Sequence, residues 1–203
     1  MIMTPSEKYV QQLFLSRYKI LLQKIEEFDG RNGQTADFEF IENGKRLFVC
    51  ELKDFVHVEV SEKDGWEFTQ YPDGSVVATK PSNAANRISK DIATAYDQLA
   101  KYVEPKILIF LNHSFRLDSR DLEDTYRGYW IIEDENIRIK NTYAKRASEG
   151  KIKDIKSKID LYIWIDAVDS RVDLQEDRIT FLFVSENGRK IAMDNFGITK
   201  KAG

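Results

Sequence analysis

Ala36-Asp37-Phe38-Glu39-Phe40-Ile41-Glu42-Asn43-Gly44-Lys45-Arg46-Leu47-Phe48-Val49-Cys50-Glu51-Leu52-Lys53 reads as two strands joined at a turn, and its alternation decides the fold. Asn43-Gly44 supplies the positive φ that a tight hairpin turn needs. Successive strand side chains point to opposite faces. The even positions, Ala36, Phe38, Phe40, Phe48, Cys50 and Leu52, are apolar and read as the face packed on a core. On the odd positions Ile41, Leu47 and Val49 are apolar beside the turn, whereas Asp37, Glu39, Glu51 and Lys53 are polar and lie toward the far end. Both strands bury their even residues only if opposed residues sum to an even number. A two-residue loop would send Asp37 and Glu51 to opposite faces, so the pattern predicts an odd-length loop, such as Glu42-Asn43-Gly44 with Gly44 in a bulge. In that register the two carboxylates converge.

Outward from this hairpin, Tyr9, Val10, Leu13, Phe14, Tyr18, Leu21, Leu22, Ile25 and Phe28 recur at three- and four-residue spacing after Thr4-Pro5-Ser6-Glu7, predicting one long helix from Ser6 to Phe28. Asp29-Gly30-Arg31-Asn32-Gly33 would end it. Beyond Lys53, the alternation between Phe55 and Val77 predicts an extra hairpin or extended lid. Pro81-Ser82-Asn83 caps a second helix reaching about Val103, with Ala84, Ala85, Ile88, Ile92, Ala95, Leu99 and Tyr102 on one stripe. Pro105 stops it. Lys106 to Asn112 reads as a strand buried on both faces. Asp118 to Tyr126 and roughly Asn141 to Lys158 read as helical, and Tyr129 to Ile132, Ile159 to Ile165 and Ile179 to Val184 as strands. The order indicates an α/β or α+β domain around a mixed central sheet flanked by helices.

The chain has 203 residues, 42% of them apolar, enough for one domain with a substantial core. Residues 1–203 are therefore expected to form a single domain, with a core at 6–112 and a C-terminal elaboration at 113–203. Its apolar runs fall far below the roughly 20 residues of a membrane-spanning helix. The N-terminus lacks the pattern of a cleavable leader, so the expectation is a cytoplasmic, unprocessed protein without a membrane partner. The single cysteine, Cys50, excludes an intrachain disulfide and a cysteine-rich metal site, and its place on the apolar face predicts a core residue. A net charge of −3 argues against a generally cationic nucleic-acid coat. A local basic segment does exist. Arg138, Lys140, Lys145, Arg146, Lys151, Lys153, Lys156 and Lys158 are opposed only by Glu149 and Asp154, and form either a solvated helix face or a phosphate-binding one.

Hydrolysing a phosphodiester requires a held divalent cation, an activated water and a positive charge against the transition state. Carboxylate oxygens suit Mg²⁺ or Mn²⁺, and a lysine supplies the point charge. Glu51 and Lys53, two apart on a strand, face the same way, with Asp37 on the neighbouring strand. This arrangement resembles the PD-(D/E)xK nuclease superfamily, with its restriction-endonuclease-like fold: Asp37 stands for the motif aspartate and Glu51-Leu52-Lys53 for the acidic-x-lysine element. Ala36 replaces the usual proline. The resemblance spans Ser6 to about Asn112. It implies a nuclease in which Asp37, Glu51 and Lys53 are catalytic, Asp37, Glu51 and the Leu52 carbonyl bind Mg²⁺ or Mn²⁺, and the substrate is nucleic acid, DNA rather than RNA. Tyr96-Asp97-Gln98-Leu99-Ala100-Lys101-Tyr102 resembles the Gln-x-x-x-Tyr element of RecB-like and lambda-exonuclease-like branches, which implies substrate contacts for Gln98 and Tyr102, one helical turn apart. Family members commonly add a carboxylate from the first helix, for which Glu7, Glu26 and Glu27 are candidates. Glu7 is equally explained by the helix dipole.

An inactive nuclease-fold module that binds nucleic acid or a protein is the alternative. A homodimer presenting two sites to a duplex is compatible with either. His57 and His113 are too isolated to suggest a histidine metal site. Asp118, Asp121, Glu123 and Asp124 lack calcium-loop spacing and read as a helix start. Trp66, Phe68 and Tyr71 read as packing residues of the extra hairpin, with base stacking the alternative.

Overall fold

The computed structural model describes residues 3–26, 35–55, 67–70, 76–79, 84–114, 117–133, 138–141, 145–170 and 175–198. Helix α1 runs Pro5–Tyr18. Thr4 and Glu7 close its first turn in a capping box, which satisfies backbone N–H groups that the helix leaves unpaired. It ends ten residues before the expected Phe28, because Lys19 turns left-handed at φ 61° and the chain then extends into strand β1, Gln23–Lys24. The apolar spacing continues past the helix since Ile20 and Leu22 bury in the same core by another route. The expected terminator at 29–33 lies outside the described residues.

Strands β2 (Phe38–Glu42) and β3 (Lys45–Phe55) form the hairpin. Phe38 opposes Cys50, Glu39 opposes Val49 and Phe40 opposes Phe48, the even-sum register. The device that produces it differs from the expected odd loop. Asn43 and Gly44, at φ 51° and 74°, make a two-residue turn between Glu42 and Lys45, and the extra residue is Leu47, bulged between Arg46 and Phe48.

Strands β4 (Glu67–Gln70) and β5 (Val76–Thr79) pair as the expected extra hairpin; Trp66 and Tyr71 lie outside the described residues, as does the side chain of Phe68. Helix α2, Ala84–Leu99, carries the predicted buried stripe but stops before Tyr102. Strand β6 is Lys106–Asn112, as expected. Helix α3, Ser119–Arg127, is capped by Asp118 and Asp121. Strands β7 (Trp130–Glu133) and β8 (Arg138–Asn141) form a second small hairpin. The basic segment is not the expected helix. A π-helical turn at Ala147–Lys151 and a 3₁₀ turn at Lys156–Lys158 stand there instead. Strands β9 (Leu161–Asp166) and β10 (Arg178–Phe183) follow, then helix α4, Glu186–Phe196, which periodicity did not disclose.

The main sheet has the order β1-β2-β3-β6-β9-β10, with β3, β6 and β9 parallel and the other pairings antiparallel. This is a mixed α/β sheet with helices on both faces. One face packs Phe48, Cys50, Ile109 and Ile163 against Val10 and Phe14 of α1 and Phe196 of α4. The other packs Val49, Phe110 and Trp164 against Ile88, Ile92 and Leu99 of α2. Phe55, Phe110 and Trp164 meet here with ring centroids 5.4 to 5.7 Å apart. Each such ring contributes about 1.5–3 kcal/mol by leaving water. The odd face of β3 is thus roofed by α2, not left as an open polar surface, and Ala36, expected on the even face with Phe38, lies on this side instead because the chain bends at Asp37.

Gly188 lets α4 come close to the residue that precedes β9. A Cβ there would sit 1.9 Å from the Asp160 carbonyl oxygen, which receives the backbone N–H groups of Val184 and Ser185. Gly188→Ala is expected to cost about 2 kcal/mol by forcing α4 off the sheet, measured as a lower urea midpoint.

Candidate active site

Glu51 sits at the centre of β3, only 2% exposed. Its Oε1 accepts a hydrogen bond from Lys53 Nζ at 2.8 Å, while its Oε2 is buried with no partner among the described residues. Burial raises the carboxyl pKa to about 7, the charge of Asp37 adds to the rise, and Lys53 and Gln98 oppose it. Asp37 sits at the bend just before β2, one residue beyond the Phe38–Cys50 pair, and its charge reaches Glu51. Its Oδ2 accepts the Leu52 backbone N–H at 2.9 Å. In an extended strand the N–H and C=O of one residue face the same edge, so the Leu52 carbonyl also faces Asp37.

Of the three first-helix candidates, the structure brings Glu7 to the site. Its Oε2 accepts the Thr4 N–H at 2.7 Å, and its Oε1 accepts from Lys24 Nζ at 2.5 Å. Lys24 also donates to Asp37 Oδ1 at 2.9 Å, so one ammonium joins both carboxylates. Glu7 is 8% exposed and its pKa is lowered, the hydrogen bonds from Lys24 and Thr4 outweighing burial. Glu26 is exposed just beyond β1, and Glu27 lies outside the described residues.

On the α2 side, Lys53 Nζ donates to Gln98 Oε1 at 2.8 Å, fixing the ammonium between an amide and a carboxylate. Tyr102 lies past the helix end, so it does not share a helical face with Gln98. Its ring lies 5.7 Å from the Arg46 guanidinium, and its hydroxyl meets the Ala36 backbone. It braces the strand before Asp37. Asp91, two turns before Gln98 on α2, is partly buried; its pKa is raised by burial, against the charges of Arg87, Lys53 and Lys90. Arg87 itself lies over the Phe55 ring at 4.8 Å.

Sequence reasoning missed Lys24 and Asp91. Lys24 was hidden because the helix was carried through it, whereas the spacing of Asp91 from Gln98 was available as a same-face signal. Asp54, the next residue after Lys53, turns to the opposite face, where it accepts from Ser6 and lies 3.9 Å from His113 Nε2. His113 Nδ1 is 3.1 Å from Asp169, so this histidine is held between two carboxylates. His57 lies outside the described residues. In the basic segment Lys145, Arg146, Lys151, Lys153 and Lys158 are exposed, while Lys156 turns inward to the Tyr126 carbonyl and the Ser148 hydroxyl.

Among the described residues, no three His, Cys, Asp or Glu side chains are gathered closely enough to hold a metal as they stand. Mg²⁺, however, is commonly held by one or two carboxylates, with waters and substrate phosphates completing its shell. Asp37 and Glu51 meet that requirement, and the partnerless buried Oε2 of Glu51 is an oxygen whose desolvation a hard cation would offset. Compared with known proteins, the chain matches no family model, no curated protein and no solved structure.

Proposed function

We propose that this protein is a Mg²⁺- or Mn²⁺-dependent nuclease of the PD-(D/E)xK type, hydrolysing phosphodiester bonds in DNA in preference to RNA. The observation that carries the reading is Glu51, a buried carboxylate with an unpaired oxygen, set beside Asp37 on one side and Lys53 on the other. The order α1, β2–β3 hairpin, α2, β6, interrupted by β1 and the β4–β5 hairpin, resembles that of the superfamily core and supports the reading. Asp37 and Glu51, with the Leu52 carbonyl, would hold the cation, which supplies Lewis acidity and a water of lowered pKa when bound. Lys53 would place its charge against the attacked phosphate, and Gln98 would keep that ammonium aimed. Tyr102 would act through the Ala36 backbone by positioning Asp37.

One observation favours a second reading, a nuclease-fold module that binds nucleic acid or a protein without cutting. Lys24 already pairs with both Asp37 and Glu7 within the chain, as it would in a site needing no metal.

The test is a calorimetric titration of Mn²⁺ into the wild type and Asp37→Asn, with and without a short DNA duplex. Saturable binding weakened by at least about tenfold in the variant is expected, since a ligand charge is removed. Metal-dependent cutting of DNA faster than RNA should accompany it. Absence of binding under both conditions would favour the non-catalytic module.

A further inference from the structure

We propose that Lys24 is a built-in counter-cation that occupies the cation position between Glu7 and Asp37, and that it withdraws when a divalent ion binds there. This rests on the metal-site reading above, to which it adds Glu7 as a further ligand beside Asp37, Glu51 and the Leu52 carbonyl. Each carboxylate is anchored through its other oxygen: Glu7 Oε2 by the Thr4 N–H, and Asp37 Oδ2 by the Leu52 N–H. The two remaining oxygens, Glu7 Oε1 and Asp37 Oδ1, lie 2.5 and 2.9 Å from one nitrogen. That nitrogen marks a point which both acids address, and carboxylate oxygens of this kind would suit a hard divalent ion.

The lysine is suited to leaving. It sits on a two-residue strand that pairs, among the described residues, with β2 alone, and its side chain is 18% exposed, with the nitrogen 5.5 Å from the Phe38 ring centroid. Four methylenes give the ammonium a solvent-facing alternative without moving the backbone. While it stays, it keeps Glu7 and Asp37 from repelling one another, so the metal-free chain folds with its acids already in place. Lys24 and a divalent ion then compete for the same two oxygens, and the lysine sets the concentration at which the site fills.

The experiment compares Mn²⁺ binding by calorimetry in the wild type and Lys24→Gln. Removing the competitor is expected to tighten binding about tenfold, a figure reduced from the bare charge–charge energy because the site is partly exposed. The variant should also melt lower than the wild type in EDTA and gain more from saturating Mn²⁺. A second measurement uses the unaltered chain: acetic anhydride labelling of the Lys24 amine, read by mass spectrometry, should rise several-fold in saturating Mn²⁺. Equal affinity in the two proteins, or weaker binding in Lys24→Gln, overturns the role of Lys24 and leaves the metal site standing. Binding in neither protein, with or without duplex, overturns both. If Lys24→Gln does not fold, labelling decides, and unchanged reactivity while the wild type binds Mn²⁺ rejects the proposal.

Discussion

Replacing Lys53 by methionine is expected to lower metal-dependent cleavage by about 10²–10³-fold, the usual loss when one preorganised charge or donor at a developing oxyanion is removed. Methionine keeps much of the stem volume, so packing beside Gln98 changes little. The ammonium has two partners, Glu51 Oε1 and Gln98 Oε1, and both lose a donor in the variant. Glu51, already raised to about 7, would rise further without the positive charge that opposes its burial. At neutral pH the variant would therefore lose metal affinity as well as rate. Above pH 8.5 Glu51 ionises in larger part, and the two effects separate: Mn²⁺ binding recovers toward the wild type while the rate does not. Single-turnover cleavage and calorimetry across that range measure both. A variant that cuts at the wild-type rate when saturated with metal would remove Lys53 from the reaction.

Glu51→Gln is expected to remove a pH-dependent cost from the metal-free protein. The Glu51 carboxyl has a pKa near 4.5 in an unperturbed chain and about 7 when folded, chiefly through burial. Between those values the folded state holds the proton more strongly, so the contribution to stability is complete below about pH 4.5 and is lost as pH rises through 7. The loss is on the order of 3 kcal/mol when each pKa unit is worth about 1.4 kcal/mol. In EDTA, the wild type should weaken between pH 5 and 8, and Glu51→Gln should weaken less and be the more stable protein at pH 8. The same variant should bind Mn²⁺ poorly, since a neutral amide replaces the anionic ligand. Denaturation midpoints against pH, taken with and without metal, test both statements; parallel midpoint curves would show that Glu51 is not strained by its charge. The proposed site would thus be a place where stability is given up for a binding capacity.

How much of this was legible in the sequence depends on how local the determining contacts are. β6 was readable to the residue because Ile107 to Leu111 are apolar on both faces and Pro105 precedes them. The meeting of Asp37 and Glu51 was readable because face alternation constrains register whatever makes the turn. The end of α1 was not: Lys19 is not a residue that advertises a left-handed cap, and Leu22 and Ile25 keep a helical spacing while flanking strand β1. That error concealed Lys24. Its bonds to Glu7 and Asp37 join three separate elements, a relation that no window of sequence contains. Gln98 was placed near the site through the resemblance, but its partner proved to be Lys53, across the gap between α2 and β3. The basic segment misled because charge spacing resembled an exposed helix, while Gly150 and the inward bonds of Lys156 favour short turns.

The bulge at Leu47 bears on how such centres should be compared between chains. A comparison that requires an odd loop would reject this hairpin, and one that requires a tight Asn-Gly turn would infer diverging acids. What survives both is the register of Phe38 against Cys50, which brings Asp37 near Glu51 wherever the extra residue is housed. Loop and ladder are interchangeable places to store that residue, so a change of turn length balanced by a bulge would leave the acidic pair its meeting point.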